Sequence, residues 1–320
     1  MSQPKPAILP RFPRRAALAR PRALPARLRR ERLLIVGCGD VGLRVARQLT
    51  QVRRYALTSS PERIPELRAA GLTPLLGQLD DPASLRRLAG LATRVLHLAP
   101  PPGEGLGDPR SVALLRALRR GRAPRALVYG STSGVYGDCA GDWVTEVRPL
   151  APQSARAQRR VAAERVLRGR GRSGPHASVL RIPGIYAPDR PGGTPETRLR
   201  RGTPVLCAQD DVYTNHIHAD DLARACVAAL WRGRPGRTCH ASDDTVLKMG
   251  DYFDLAADLY GLPRPPRLSW SQAQQVLPPV LLSFMGESRR LDNTRLKREL
   301  RVALRYPHIQ QGLVSGAVSG

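Results

Sequence analysis

The sequence predicts an α/β protein, a doubly wound parallel sheet followed by a smaller carboxy-terminal lobe. Three observations lead there. From residue 32 onward, short apolar runs alternate with stretches of helical periodicity, as parallel strands covered by helices on both faces require. A glycine-rich turn sits directly between the first run and the first helical stretch. No run of about 18 apolar residues occurs, so no helix is expected to cross a membrane.

The chain has 320 residues, 52 of them Lys or Arg against 26 Asp or Glu, a formal charge of +26. Lysine is confined to Lys5, Lys248 and Lys297, so this charge is almost wholly arginine. Such a charge suits polyanions or phosphate-bearing ligands. Arginines spread along the whole length fit a general replacement of Lys by Arg equally well. Hydrophobic residues make up 42%, enough for a packed core, which excludes a wholly disordered chain. Cys38, Cys139, Cys207, Cys226 and Cys239 are odd in number and widely spaced, with no C-x-x-C. That argues against a disulfide framework or a metal site and for a reducing, cytoplasmic setting.

Residues 1–30 differ from the rest. They hold Lys5 and eight arginines, no acid, and prolines at 4, 6, 10, 13, 21 and 25 that interrupt any helix. A disordered extension is expected; a transit segment or a polyanion-binding arm is the other reading. The expected organisation is this tail at 1–30, a dinucleotide-binding domain at 31–188, and a substrate lobe at 189–320 whose residues 219–242 return to the sheet.

The first strand is Leu33-Leu34-Ile35-Val36. Gly37-Cys38-Gly39-Asp40-Val41-Gly42 follows, then Val41, Val45, Ala46 and Leu49 at helical spacing. Strand, G-x-G-x-x-G and helix in this order form a Rossmann-type dinucleotide turn. Gly37 permits the tight turn, Gly39 lets a pyrophosphate approach the backbone, and Gly42 lets the helix pack on the strand. The free N–H groups and positive dipole end of that helix suit phosphate. The second strand is Tyr55–Thr58. Where an NAD site carries an acid for the ribose hydroxyl, this chain has Thr58, Ser59 and Ser60, with Arg63 beyond. Hydroxyls and a cation suit a 2′-phosphate, so NADP is preferred over NAD.

The pattern continues. A third strand at Leu72–Gly77 leads to Leu79, and a helix is expected from Pro82. A fourth strand, Arg94–Ala99, ends at Pro100, and a helix with Val112, Leu114, Leu115 and Leu118 follows. A fifth strand, Ala126–Gly130, leads to Ser131-Thr132-Ser133, and a sixth is expected to end at Tyr186. Ligands of such sheets bind at the carboxyl ends of the strands, so these loops should converge on one crevice. Further on, Asp220 is placed to cap a helix through Leu222, Ala225 and Leu230. Thr238–Ser242 reads as a returning strand, and Met249–Tyr260 as an amphipathic helix.

These motifs, with Ser131-Thr132-Ser133-Gly134-Val135-Tyr136-Gly137-Asp138, Leu180–Pro188 and Asn215–Ala223, resemble the extended short-chain dehydrogenase/reductases, the NAD-dependent epimerase/dehydratase proteins. The resemblance runs from about residue 32 to the end. It implies a cofactor site built from Gly37, Cys38, Gly39, Asp40, Val41, Gly42, Thr58, Ser59, Ser60, Arg63, Leu79, Ala99, Pro100 and Pro183. It places the family's catalytic Ser/Thr on Thr132. The family also uses a Tyr-x-x-x-Lys pair on a helix expected to begin near Ser154 and run to about Glu164. Counted back from Glu164, those positions hold Arg156 and Arg160, so the usual tyrosine is absent. Arginine cannot donate or accept the proton that tyrosine handles. Arg160 could still bind the nicotinamide ribose, and Arg156 an anionic substrate. Tyr136, Tyr186, Tyr213 and His216 are candidate substitute acids. His97 and His218 read as structural.

The expected function is an NAD(P)-dependent oxidoreductase or epimerase/dehydratase-like enzyme for a carbonyl, sugar or nucleotide-sugar substrate, anionic small molecules included. A non-catalytic NADP-binding sensor or scaffold is the alternative, and a polyanion or nucleic-acid binder the minor one. Few aromatics and no recognisable nucleic-acid module argue against the last. The resemblance implies a homodimer through helices that include the one bearing Arg156.

Overall fold

The computed structural model describes residues 31–169 and 177–314; the expectation for segment 1–30 lies outside the described residues. Its centre is a seven-stranded parallel sheet. The strands are β1 (Arg32–Val36), β2 (Arg53–Thr58), β3 (Thr73–Leu76), β4 (Arg94–His97), β5 (Ala126–Thr132), β6 (Ala177–Ile182) and β7 (Thr238–His240). Their order is β7-β6-β5-β4-β1-β2-β3. The sheet runs outward in both directions from the β1–β4 boundary, and a crevice opens there at the carboxyl ends. The fold is therefore a doubly wound Rossmann-type α/β fold.

Both faces are covered. On one lie α1 (Asp40–Gln48), α2 (Ile64–Ala69) and α6 (Ala219–Arg232); on the other lie α3 (Pro109–Arg119) and α4 (Ala155–Arg168). The strands read as unbroken apolar runs because alternate residues feed two cores. Leu33 and Ile35 pack with α1 and α6, whereas Leu34 and Val36 pack with α3 and α4. Each fully buried Leu or Ile contributes about 1.5–3 kcal/mol. A third core holds Leu199, Tyr252, Phe253, Ala256 and Ile309, under α5 (Glu196–Arg200) and α7 (Met249–Tyr260).

Three local expectations change. The helix from Pro82 shrinks to one 3-10 turn, Arg86–Leu88. Leu85 and Leu88 already reach the core from that turn, and Gly90 at φ +66° ends it. The sixth strand does not reach Tyr186. It stops before Pro183, which has no N–H for the ladder, and Gly184–Tyr186 pairs with His216–His218 instead. Asp220 does not cap α6. His218 is the cap, its Nδ1 accepting the Asp220 N–H at 3.2 Å, and the Asp220 carboxylate instead takes Arg44.

One buried ion pair joins α4 to β6. Arg181 Nε and Nη2 donate to the two Glu164 oxygens at 3.1 and 2.8 Å, with both side chains only 2% exposed. Arg181 Nη1 also reaches the Tyr136 hydroxyl and the Glu146 carbonyl. The His240 ring is oriented by the Asp292 carbonyl, which accepts from Nδ1 at 2.8 Å, so Nε2 accepts the Tyr136 O–H at 2.6 Å.

Glu164→Leu, which strands the Arg181 guanidinium, is expected to cost about 3–5 kcal/mol in urea denaturation. Adding Arg181→Met should recover much of that loss. A double variant no more stable than the single one would contradict this reading.

Burial lowers His97 to about 3, and His216 and His240 to about 4. The unfolded chain, with histidines near 6.5, therefore binds more protons, and these groups make stability fall as pH drops from about 6.5 towards 4. The buried carboxyls of Asp243, Glu146 and Asp211, pushed up by desolvation, act in the opposite sense. A single-site variant isolates one histidine. His97→Gln should flatten the slope of unfolding free energy against pH by up to about 1.4 kcal/mol per unit. A slope equal to that of the unaltered protein would refute it.

Candidate active site

The glycine turn has the shape its sequence implies. Gly37 sits at φ +82°, and a Cβ there would lie 2.4 Å from the Ala99 nitrogen. The turn and the end of β4 therefore touch backbone to backbone. Over Gly39 nothing lies within 4 Å of a Cβ position, so the space beside the helix start is open. At Gly42 a Cβ would press on Cys38 Sγ and Ile35 at 3.2 Å. Gly39 caps α1 without a side-chain bond, leaving backbone N–H groups facing the opening. An open cradle, a bare helix start and a close strand contact fit a dinucleotide pyrophosphate.

The other residues of the loop play packing parts. Val41 is buried in the core. Cys38 is buried, and burial pushes its thiol up to about 11, so it is inert near neutrality. The Asp40 carboxylate turns along the helix to Arg44 at 3.0 Å. Arg44 also holds Asp189 and Asp220, tying α1 to the loop after Tyr186 and to the start of α6.

Around this cradle, Arg63 Nη1 donates to the Cys38 carbonyl at 2.8 Å, and Nε to Glu66 at 3.0 Å. The guanidinium thus bridges the glycine turn and α2. The Thr58 hydroxyl accepts the Ser60 N–H at 3.2 Å, and Ser59 is exposed. Leu79 and Ala99 pack at the edge of the core. Pro100 is exposed; its carbonyl accepts from Arg110, which also grips Asp80 at 2.6 Å.

A cavity of about 490 Å³ opens at the carboxyl ends of β5 and β6. Thr132, Pro183, Arg156 and Arg160 all line it. The Thr132 hydroxyl accepts the Gly134 N–H at 3.3 Å. Ser154 caps α4, which carries Arg156 and Arg160 one turn apart and no tyrosine. Arg160 Nη1 donates to the Gly130 carbonyl at 2.8 Å and to the Tyr129 hydroxyl at 3.1 Å. Arg156 stacks on Phe284, its Cζ 4.8 Å from the ring centre.

The structure sorts the substitute acids. Tyr136 is held in the Arg181–His240 network and pushed up to about 12 by burial, away from the cavity. Tyr186, Tyr213 and His216 do line it. His97 keeps one partner, Ser111 at 3.0 Å on Nε2, while its buried Nδ1 has none among the described residues. Two further lining residues, Glu287 and Arg289, escape sequence reasoning because no motif surrounds them. Glu287 accepts from Arg289 Nη1 at 2.8 Å. Its Oε2 and the Thr132 hydroxyl lie 3.8 and 3.7 Å from the point a Gly134 Cβ would occupy. Glu287 is the one acid among the described lining residues.

The model of the NAD dependent epimerase/dehydratase family matches residues 33–241. The chain belongs to that family. Among solved structures, this family member is similar to a functionally unknown conserved protein from Silicibacter pomeroyi DSS, at 32% identity and TM-score 0.76, over 90% of this chain and 98% of the other. It shares its fold with DesIV, a dTDP-glucose 4,6-dehydratase from Streptomyces venezuelae with NAD and TYD bound, at 22% identity and TM-score 0.71, over 88% and 94%. The same holds for a UDP-glucuronic acid 4-epimerase from Bacillus cereus in complex with NAD, at 17% identity and TM-score 0.67, over 88% and 96%. A comparison with curated proteins finds no match. Among the described residues, no helix of this epimerase/dehydratase-family protein is long and apolar enough to cross a membrane.

Gly37 and Gly39 separate folding from cofactor binding. Gly37→Ala strains a left-handed residue against Ala99 and should lower both the melting temperature and cofactor affinity. Gly39→Ala meets nothing in the protein and should leave the melting temperature within a few degrees while weakening dinucleotide binding about tenfold or more. Equal thermal damage from both, read by differential scanning fluorimetry beside a cofactor titration, would count against this geometry.

Proposed function

We propose that this protein is an NADP-preferring enzyme of the epimerase/dehydratase type that acts on an anionic sugar or carbonyl compound, such as a nucleotide sugar. One observation carries the reading. The cavity beside Thr132 is lined by Arg156, Arg160, Arg198 and Arg289 with a single carboxylate, Glu287, among them. Cations at the wall suit phosphate or carboxylate groups of a substrate. Two of the three solved relatives named above hold NAD, and DesIV also holds TYD, which supports the substrate class.

The cofactor would lie along the Gly37–Gly42 turn and supply hydride transfer at its nicotinamide. Arg160, held against Gly130 at the end of β5, is positioned for the adjacent ribose. No lysine or tyrosine on α4 can handle the proton of this chemistry. Glu287, across Gly134 from the Thr132 hydroxyl, is the group we assign to it, with Thr132 orienting the reacting oxygen. Thr58, Ser59, Ser60 and Arg63 replace the acid that would receive a ribose hydroxyl, which supports NADP. Glu66 balances part of the Arg63 charge, so the preference should be moderate. Free cysteines and the enzyme class support a cytoplasmic setting.

Arg63→Ala is expected to weaken NADPH about tenfold and leave NADH little changed in a fluorescence titration. Turnover on a panel of aldehydes, ketones and nucleotide sugars should fall at least a hundredfold in Thr132→Val and in Glu287→Gln, with NADPH still bound. Tight cofactor binding with no turnover on any member would instead favour the sensor reading, which the absent α4 tyrosine motivates. Failure to bind either cofactor would dispose of both.

A further inference from the structure

We propose that the arginine-rimmed groove between α1 and α6 docks an acidic amphipathic helix of a partner protein. The groove, about 880 Å³, shares no lining residue with the cavity at Thr132, so the inference stands apart from the chemistry proposed there.

The groove follows from spacing on α6. Asp220, Arg224, Val227, Ala228 and Trp231 recur at helical intervals, so they form one face about 16 Å long. The last turn of α1 and the segment 301–305 flank this face. Arg224 Nη2 donates to the Ala303 carbonyl at 2.9 Å, and Arg232 Nη1 to the Leu300 carbonyl at 2.8 Å, so α6 holds that segment in place. Leu49, Val227, Ala228, Trp231 and Val302 supply apolar surface. Trp231 is 40% exposed, and the Arg94 guanidinium lies 4.5 Å from its ring centre, which steadies the ring.

The charge of the groove is unmatched. Arg47, Arg301 and Arg305 are exposed, and no acid pairs with their side chains among the described residues. Asp220, the one acid among the described lining residues, is taken by Arg44. Arg301 also holds φ +53°, a left-handed conformation that glycine adopts freely and arginine does not. The turn thus carries a cation at a strained position on the groove edge.

These features select the occupant. An apolar helix face bordered by unmatched cations complements a helix with apolar residues at i, i+4 and i+7 and carboxylates beside them. A second copy of this chain, at +26, brings net like charge, and segment 1–30 holds nine cations and no acid. A nucleic-acid strand offers anions but no apolar stripe for Val227, Ala228 and Val302, and Trp231 alone would serve its bases. The groove lies open along its length, whereas small ligands are mostly enclosed.

The test uses the full chain and fluorescence anisotropy with three labelled probes. One is a synthetic four-turn peptide with leucines along one face and glutamates on both flanks. The second carries lysines in place of the glutamates, and the third is single-stranded oligothymidylate. The acidic peptide should bind and the lysine peptide should not. Trp231→Ala should weaken the acidic peptide about tenfold or more, and Arg47→Glu and Arg305→Glu each about threefold to tenfold. Arg301→Gly removes a cation and relieves the backbone, so it should lose a similar factor while melting within a few degrees of the unaltered protein. NADPH affinity should stay the same in all four variants, because these residues belong neither to the glycine turn nor to the cavity wall. The proposal is overturned if the acidic peptide does not bind, or if it binds all four variants as well as the unaltered protein. It is also overturned if oligothymidylate binds more tightly and loses more in Trp231→Ala, which would mark a nucleic-acid site. Peptide binding by a protein that fails the cofactor titration would refute the enzyme reading and leave this groove standing.

Discussion

The pairing of Arg181 with Glu164 is the interaction on which the geometry of the cavity depends. It is the bond that fixes α4 to β6, and α4 carries Arg156 and Arg160. Through Tyr136 and His240 the same network reaches the loop after β5 and the strand β7. Thr132 stands at the end of β5, four residues before Tyr136. A rotation of α4 by one residue would carry both arginines off the cavity wall and leave a buried carboxylate unpaired. The desolvation cost of such a charge in the interior makes that alternative expensive, so the pair sets a single register.

The large positive charge acquires distinct roles in the folded chain. Some arginines neutralise acids across elements, as Arg44 does with three carboxylates. Others cap backbone carbonyls, as Arg232 does at Leu300. A third group faces the cavity, and there acids are scarce. An arginine-rich composition therefore hides two physical situations: cations matched within the protein and cations left for something outside it. Only the partner at the end of each guanidinium tells them apart.

The absence of the family tyrosine gains meaning from the same wall. A helix that had merely lost its catalytic residue could carry any solvated side chain at that position. Here Arg156 is exposed and stacks on the exposed Phe284, whereas Arg160 is bound to the backbone near the end of β5. Arg160 at least has a defined place. In the proposed reaction the proton falls to Glu287, the one acid among the described lining residues, which lies 119 positions beyond the end of α4.

Sequence alone determined the sheet, its glycine turn and the family, because each depends on local rules. An apolar strand, a turn needing positive φ at Gly37 and a helix with period 3.6 are all written in neighbouring residues. It also determined that arginines stand where tyrosine and lysine are expected. Where local rules competed, it was less complete: Pro183 broke the sixth strand, and His218 rather than Asp220 capped α6. Only the tertiary structure decided that Tyr136 is locked in a buried network and that Glu287 and Arg289 join Thr132. These facts depend on contacts between residues from about 10 to more than 150 positions apart. Burial and charge pairing are properties of that assembled neighbourhood, so no stretch of sequence contains them.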